Sequence, residues 1–110
     1  MTKVTFYQNH SGVYTGFKAV GHAGSGDAGG DLVCTAISVL VINTINSIEQ
    51  LTDDEFTVDS DEEKGMIRFR ISAEHSREAD ILLRSLAIGL TSIESDETKQ
   101  NFIDIIFEEV

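Results

Sequence analysis

Residues 21 to 38 read Gly21-His22-Ala23-Gly24-Ser25-Gly26-Asp27-Ala28-Gly29-Gly30-Asp31-Leu32-Val33-Cys34-Thr35-Ala36-Ile37-Ser38, and they contain the chain's only cysteine together with one of its three histidines. A thiol and an imidazole in one stretch suggest nucleophilic catalysis, because the thiolate is the reactive form and a neutral histidine can take its proton. Asp31 is the last polar residue before Leu32, Val33, Ile37, Val41, Ile45 and Ile48 recur at helical spacing, which marks it as a helix N-cap. Cys34 is then the third helical residue, where free N–H groups and the positive end of the dipole favour a thiolate and can bind an oxyanion. Asp31 can cap the amide of Cys34 or orient the His22 ring, and sequence leaves both open. Ser38 follows Cys34 by one helical turn and shares its face. Gly24, Gly26, Gly29 and Gly30 make the connection between histidine and helix a loop that can move over a cleft.

Each of these residues also has a quieter account. A cysteine at a helix start often serves as a small apolar residue, and an aspartate there is often only a cap. His22, Asp27, Asp31 and Cys34 lack the tight pairs that anchor zinc. The glycine loop has neither phosphate-binding spacing nor a lysine, and its two aspartates oppose an anion. Neither a metal nor any other cofactor is expected.

The elements that must position this stretch follow from periodicity. Residues 2–8 and 13–20 alternate as a β-hairpin around Asn9-His10-Ser11-Gly12, with Val13, Phe17 and Ala19 facing inward and His22 falling where the second strand ends. A helix runs from the Asp31 cap to about residue 51, and its many β-branched residues require tertiary burial to hold it. Residues 56–58 and 66–71 form a second hairpin around an acidic turn at 59–65, which reads as solvated surface. Ser76 or a near neighbour caps a second helix with the stripe Ile81, Leu82, Leu86, Leu90 and Ile93, and residues 102–107 close the chain as a strand. His10 and His75 read as turn or surface residues. The order β-β-α-β-β-α-β predicts a two-layer α+β domain spanning residues 1–110, with a mainly antiparallel sheet and two helices on one face. The last strand is apolar on both faces, a hint of a covered edge or a dimer contact.

Composition narrows the partners. With 19 acidic and 8 basic side chains the formal charge is −11, which opposes nucleic acid and favours a basic partner. The longest apolar run, residues 36–42, already carries Ser38 and falls short of a membrane span. The first residues lack a basic region followed by an apolar stretch. With a single cysteine, these features predict a cytoplasmic protein.

Gly21-His22-Ala23, the glycine-containing loop and Gly30-Asp31-Leu32-Val33-Cys34-Thr35-Ala36-Ile37-Ser38 together resemble the signature of the ribosomal-processing cysteine proteases, called Prp. The resemblance implies a peptidase that removes the N-terminal extension of large-subunit ribosomal protein twenty-seven, whose residues before the scissile bond are apolar. Carried over by position, it makes Cys34 the nucleophile, His22 its base and acid, and Asp31 and Ser38 supporting polar residues. It also implies a homodimer and a glycine loop that moves to admit substrate. Two departures stand out: Thr35 replaces an alanine, and the loop lacks an aromatic residue. Two other readings fit the composition: a non-catalytic acidic ribosome-assembly factor that binds a basic ribosomal protein, and a redox or acyl-transfer thiol enzyme.

Overall fold

A computed structural model describes residues 1–21 and 28–110, with the backbone alone for residues 28–31. The elements are β1 (Thr2–Gln8), β2 (Tyr14–Val20), α1 (Ala28–Leu51), β3 (Phe56–Asp61), β4 (Met66–Ile71), α2 (Arg77–Ser95), a 3₁₀ turn (Gln100–Phe102) and β5 (Ile103–Glu109). The expected α+β order therefore holds. The sheet runs β3-β4-β2-β1-β5. All neighbours are antiparallel except β5, which lies parallel to β1. A parallel neighbour needs a long crossover, and α2 with the 3₁₀ turn lies in the connection that leads to β5.

The core explains the register. Val4, Phe6, Phe17, Ala19, Phe69 and Ile71 lie buried on one sheet face beneath Val33, Ile37, Val41 and Ile48 of α1 and Ala79, Leu83, Leu86 and Leu90 of α2. Five of the six phenylalanines cross the whole sheet in one row. Neighbouring ring centroids lie 5.2 Å apart for Phe56–Phe69, 5.2 Å for Phe69–Phe17, 6.0 Å for Phe17–Phe6 and 5.6 Å for Phe6–Phe107. Aromatic pairs at such spacing add to burial, and a one-residue slip of any strand would break the row.

Several sequence expectations are corrected here. Tyr7 pairs with Gly16 while Gln8 pairs with Tyr14, so Thr15 is bulged out of the ladder. The bulge puts Tyr14, rather than Val13, beside Phe6, with ring centroids 5.5 Å apart. Gly16 is required beside it, because a Cβ there would lie 2.3 Å from the Phe69 carbonyl oxygen of β4. In α1, Leu32 is exposed and the buried Thr44 joins the stripe instead, its hydroxyl donating to the Leu40 carbonyl at 2.8 Å. In α2, Ile81 faces out while Ala79 and Leu83 face in. The last strand begins one residue later than expected, after the 3₁₀ turn. By length and composition alone residues 32–51 could cross a membrane, contrary to the sequence expectation. One face of that segment forms the core, which accounts for much of its apolar character.

The start of α2 follows its sequence signal. Ser76 is the N-cap, its hydroxyl oxygen accepting from the Ala79 amide at 3.1 Å. The same hydroxyl donates to Asp54 Oδ2, and the Ser76 amide donates to Asp54 Oδ1 at 2.9 Å. His75 has a buried ring rather than a surface one, with Nδ1 2.7 Å from the Ser72 carbonyl oxygen and Nε2 3.4 Å from Asp80. It is a satisfied structural histidine.

Candidate functional site

Cys34 is half-buried on α1, and the helix begins at Ala28 rather than after Asp31. Asp31 is therefore a helical residue and not the N-cap, and Gly29 and Gly30 belong to the first turn rather than to a loop. Cys34 lies in the second turn, where a backbone N–H is already committed to the helix and the dipole's influence has faded. The expectation that the Cys34 amide is a free oxyanion donor is corrected by the same shift. His22, Gly24 and Gly26 lie outside the described residues, and so does the side chain of Asp31.

What surrounds Cys34 comes mainly from α1, the end of β2 and the β3–β4 hairpin. From α1, Ser38 lines every cavity that Cys34 lines. From the end of β2, Gly21 donates its N–H to the Gly65 carbonyl at 3.2 Å, which ties the β3–β4 turn to the strand leading toward His22. Gly21 has φ of +106°, and a Cβ there would lie 2.7 Å from the Met1 carbonyl oxygen, so only glycine fits this corner. The β3–β4 hairpin supplies the opposite wall.

Three connected spaces meet at Cys34. A groove of about 480 Å³ runs along the outer face of α1 past Val39, Ile42 and Asn46. A cleft of about 390 Å³ lies between Cys34 and the hairpin residues Ser60, Asp61, Glu62 and Met66. Beneath both, a small cavity of about 50 Å³ is floored by Thr2, Ala19 and Val41. Thr2 is only 4% exposed, and its Oγ1 has no hydrogen-bond partner among the described residues. A buried hydroxyl without a partner is costly, so one facing such a space is a signal in itself.

The acidic turn is thus a wall of the cleft rather than plain solvated surface. Asp61 Oδ1 accepts from the Glu63 and Lys64 amides at 3.0 and 3.3 Å, which folds the turn back toward α1. Sequence reasoning missed Thr2, Gly65, Asp61 and Glu62 as cleft residues. The only signal for Thr2 was its place on the Val4–Phe6 face of β1, and Gly65 read simply as a turn glycine. A larger groove of about 710 Å³ lies elsewhere, where Tyr14 and Phe107 meet Arg84 and Ile88 of α2. Burial pushes the Tyr14 phenol above its ordinary pKa there, opposed by Arg84. Its described lining residues include no cysteine or histidine.

Comparison with known proteins establishes the family. The family model described as cysteine protease Prp matches residues 1–102. The ribosomal processing cysteine protease Prp of Staphylococcus aureus (strain Mu50) is 28% identical over 96 residues, covering 87% of this chain and 91% of that protein. The crystal structure of an essential ribosomal processing protease Prp from S. aureus in complex with a substrate peptide superposes with a TM-score of 0.89 at 25% identity, covering 98% of this chain and all of that one. The same protease with a covalently linked product peptide gives 0.87 at 27% identity, with 98% of this chain and all of that one covered. The family model spans every element from β1 through the 3₁₀ turn, and the chain belongs to the Prp family of cysteine proteases.

Proposed function

We propose that this chain removes the N-terminal extension of large-subunit ribosomal protein twenty-seven, with Cys34 as nucleophile and His22 as general base and acid. One observation carries the reading. A cysteine protease needs a thiol at a substrate cleft, and the only cysteine in this chain stands where three such spaces meet.

His22 takes the proton from Cys34 Sγ, and the thiolate attacks the carbonyl carbon of the scissile bond. The tetrahedral intermediate collapses, the C–N bond breaks, and the imidazolium gives its proton to the departing amine. The product is a thioester between the extension and Cys34. His22 then deprotonates a water that attacks the thioester, releasing the extension as a carboxylate and restoring the thiol. Because Cys34 lies beyond the first helical turn, the histidine must supply most of the activation that the helix start would otherwise lend. Asp31 and Ser38 support this pair.

Other features support the substrate assignment. The Val39–Ile42 groove leads directly to Cys34 and suits the apolar residues before the scissile bond. The acidic surface suits a basic ribosomal protein and is unfavourable to nucleic acid. A homodimer is part of the proposal, formed where Ile88 and Phe107 stay 69% and 50% exposed around the Tyr14 groove. The single free thiol suits the reducing cytoplasm.

The test is mass spectrometry of the extended ribosomal protein after incubation with wild-type enzyme, Cys34→Ala and His22→Ala. A single cut at the extension junction, lost in both variants, is expected. An intact substrate that nevertheless binds the wild type would favour a non-catalytic assembly factor. Light scattering of wild type against Phe107→Glu tests the dimer, which the charge should split.

A further inference from the structure

We infer that the β3–β4 hairpin, through Asp61 at the end of β3 and Glu62 in the turn, reads a basic side chain of the substrate on the side of Cys34 away from the apolar groove. The inference rests on the protease reading above and adds a specificity element to it.

The geometry gives the cleft two unlike ends. On one side of Cys34 the α1 groove presents Val39 and Ile42. On the other the cleft presents Asp61 and Glu62, with Ser60 and Met66 beside them. A peptide whose scissile carbonyl lies at Cys34 must extend toward both ends, so it meets an apolar surface in one direction and two carboxylates in the other.

Neither carboxylate has a cationic partner among the described residues, although His75–Asp80, Arg84–Asp80 and Lys99–Asp96 pair elsewhere. Lys64, in the same turn, reaches neither of them within ion-pair distance. Asp61 is half-buried and its Oδ1 is fixed by the turn amides, so its charge is held against the cleft at little further cost in entropy. Glu62 is exposed and reaches into the same space. A buried polar atom faces the space that adjoins this cleft. The Thr2 hydroxyl, 4% exposed and without a partner among the described residues, lines the floor cavity. That cavity shares Gly21, Cys34, Ser38, Gly65 and Ile67 with the acidic-walled cleft.

An acidic pair of this kind discriminates by charge. A lysine or arginine gains two carboxylates at short range, and an acidic residue is repelled by both. The Gly21–Gly65 hydrogen bond keeps the turn in place, so this selection needs no movement of the hairpin.

The experiment compares kcat/KM for peptides spanning the extension junction. Lysine, alanine or glutamate is placed in turn at each of several positions after the scissile bond. The enzymes are wild type, Asp61→Asn, Glu62→Gln, Glu62→Lys and the control Glu97→Lys, which makes the same change of charge outside the cleft. Asp61→Asn keeps an oxygen acceptor for the turn amides, and Glu62 is exposed, so these variants should fold, as thermal melts would verify. The wild type is expected to favour lysine over alanine at one position, with each neutralising variant losing about fivefold on that peptide alone. Glu62→Lys should prefer the glutamate peptide at the same position, while Glu97→Lys keeps the wild-type order. A wild type that cuts all three peptides equally, or a Glu62→Lys that keeps the lysine preference, overturns this inference and leaves the protease reading standing. A wild type that cuts none of the peptides overturns both.

Discussion

Asp54 and Ser76 join chain segments 22 residues apart through two hydrogen bonds to one carboxylate. The Ser76 hydroxyl and amide, with Thr52 and His75, hold the Asp54 carboxyl below the usual carboxylate range against a smaller opposing effect of burial. A depressed acid stabilises the fold at pH above its unfolded pKa, and that contribution is lost as pH falls through the lower, folded value. Asp54→Asn should therefore flatten the acid limb of stability against pH, read from urea midpoints taken below about pH 5. Thr2 is the opposite case, a buried hydroxyl with no partner among the described residues. Thr2→Val keeps the shape and removes the unmet polar group, so the free protein should melt at the same temperature or higher. None of this showed in the sequence. Asp54 and Thr2 read as a loop acid and a strand residue, because a hydrogen bond or its absence across distant segments leaves no local pattern.

At the level of elements, the α2 cap was legible because its signal is local: serine before Arg77-Glu78-Ala79, then an apolar stripe. Ser76→Ala removes the cap of the Ala79 amide and strands Asp54, so a loss of about 2 kcal/mol is expected in chemical denaturation. The start of α1 was misread for a related reason. Gly29 and Gly30 are weak helix formers, so propensity alone places the boundary at Asp31, yet the helix extends back through them to Ala28. The Thr15 bulge was also hidden. Val13 and Tyr14 are both acceptable inward residues, and only pairing with β1 decides between them. Gly16→Ala is the sharp test of that strand. Its Cβ would meet the backbone of β4, so β2 and β4 must separate, and a loss of several kcal/mol or failure to fold is expected on the scale of overpacked cores. The acidic turn was misjudged because its role depends on the Gly21–Gly65 bond, a contact between hairpins that alternation does not encode.

Across the whole molecule, the formal charge of −11 acts over distances that single contacts do not. Cleavage of a basic protein should slow as salt rises, with kcat/KM falling between about 50 and 500 mM, because the screening length shrinks well below the size of the enzyme. A short neutral peptide should show far less of this dependence. Hairpins, helix count and layer class were readable from periodicity, since each is a property of neighbouring residues. The parallel seating of β5 was not, because it joins the two most distant strands of the chain. That pairing has a consequence for how the molecule is made. Ribosomes deliver β1 first and β5 last, with every other element in between. Until Ile103–Glu109 emerge, Thr2–Gln8 lacks one of its two neighbours, and Phe6 waits without Phe107 at the end of the aromatic row. All the described residues around Cys34 are translated earlier, since the lining ends at Ile67. The nascent chain thus holds every described residue of the thiol cleft before its sheet can close, and cooperative folding, with any cutting that depends on it, waits for β5.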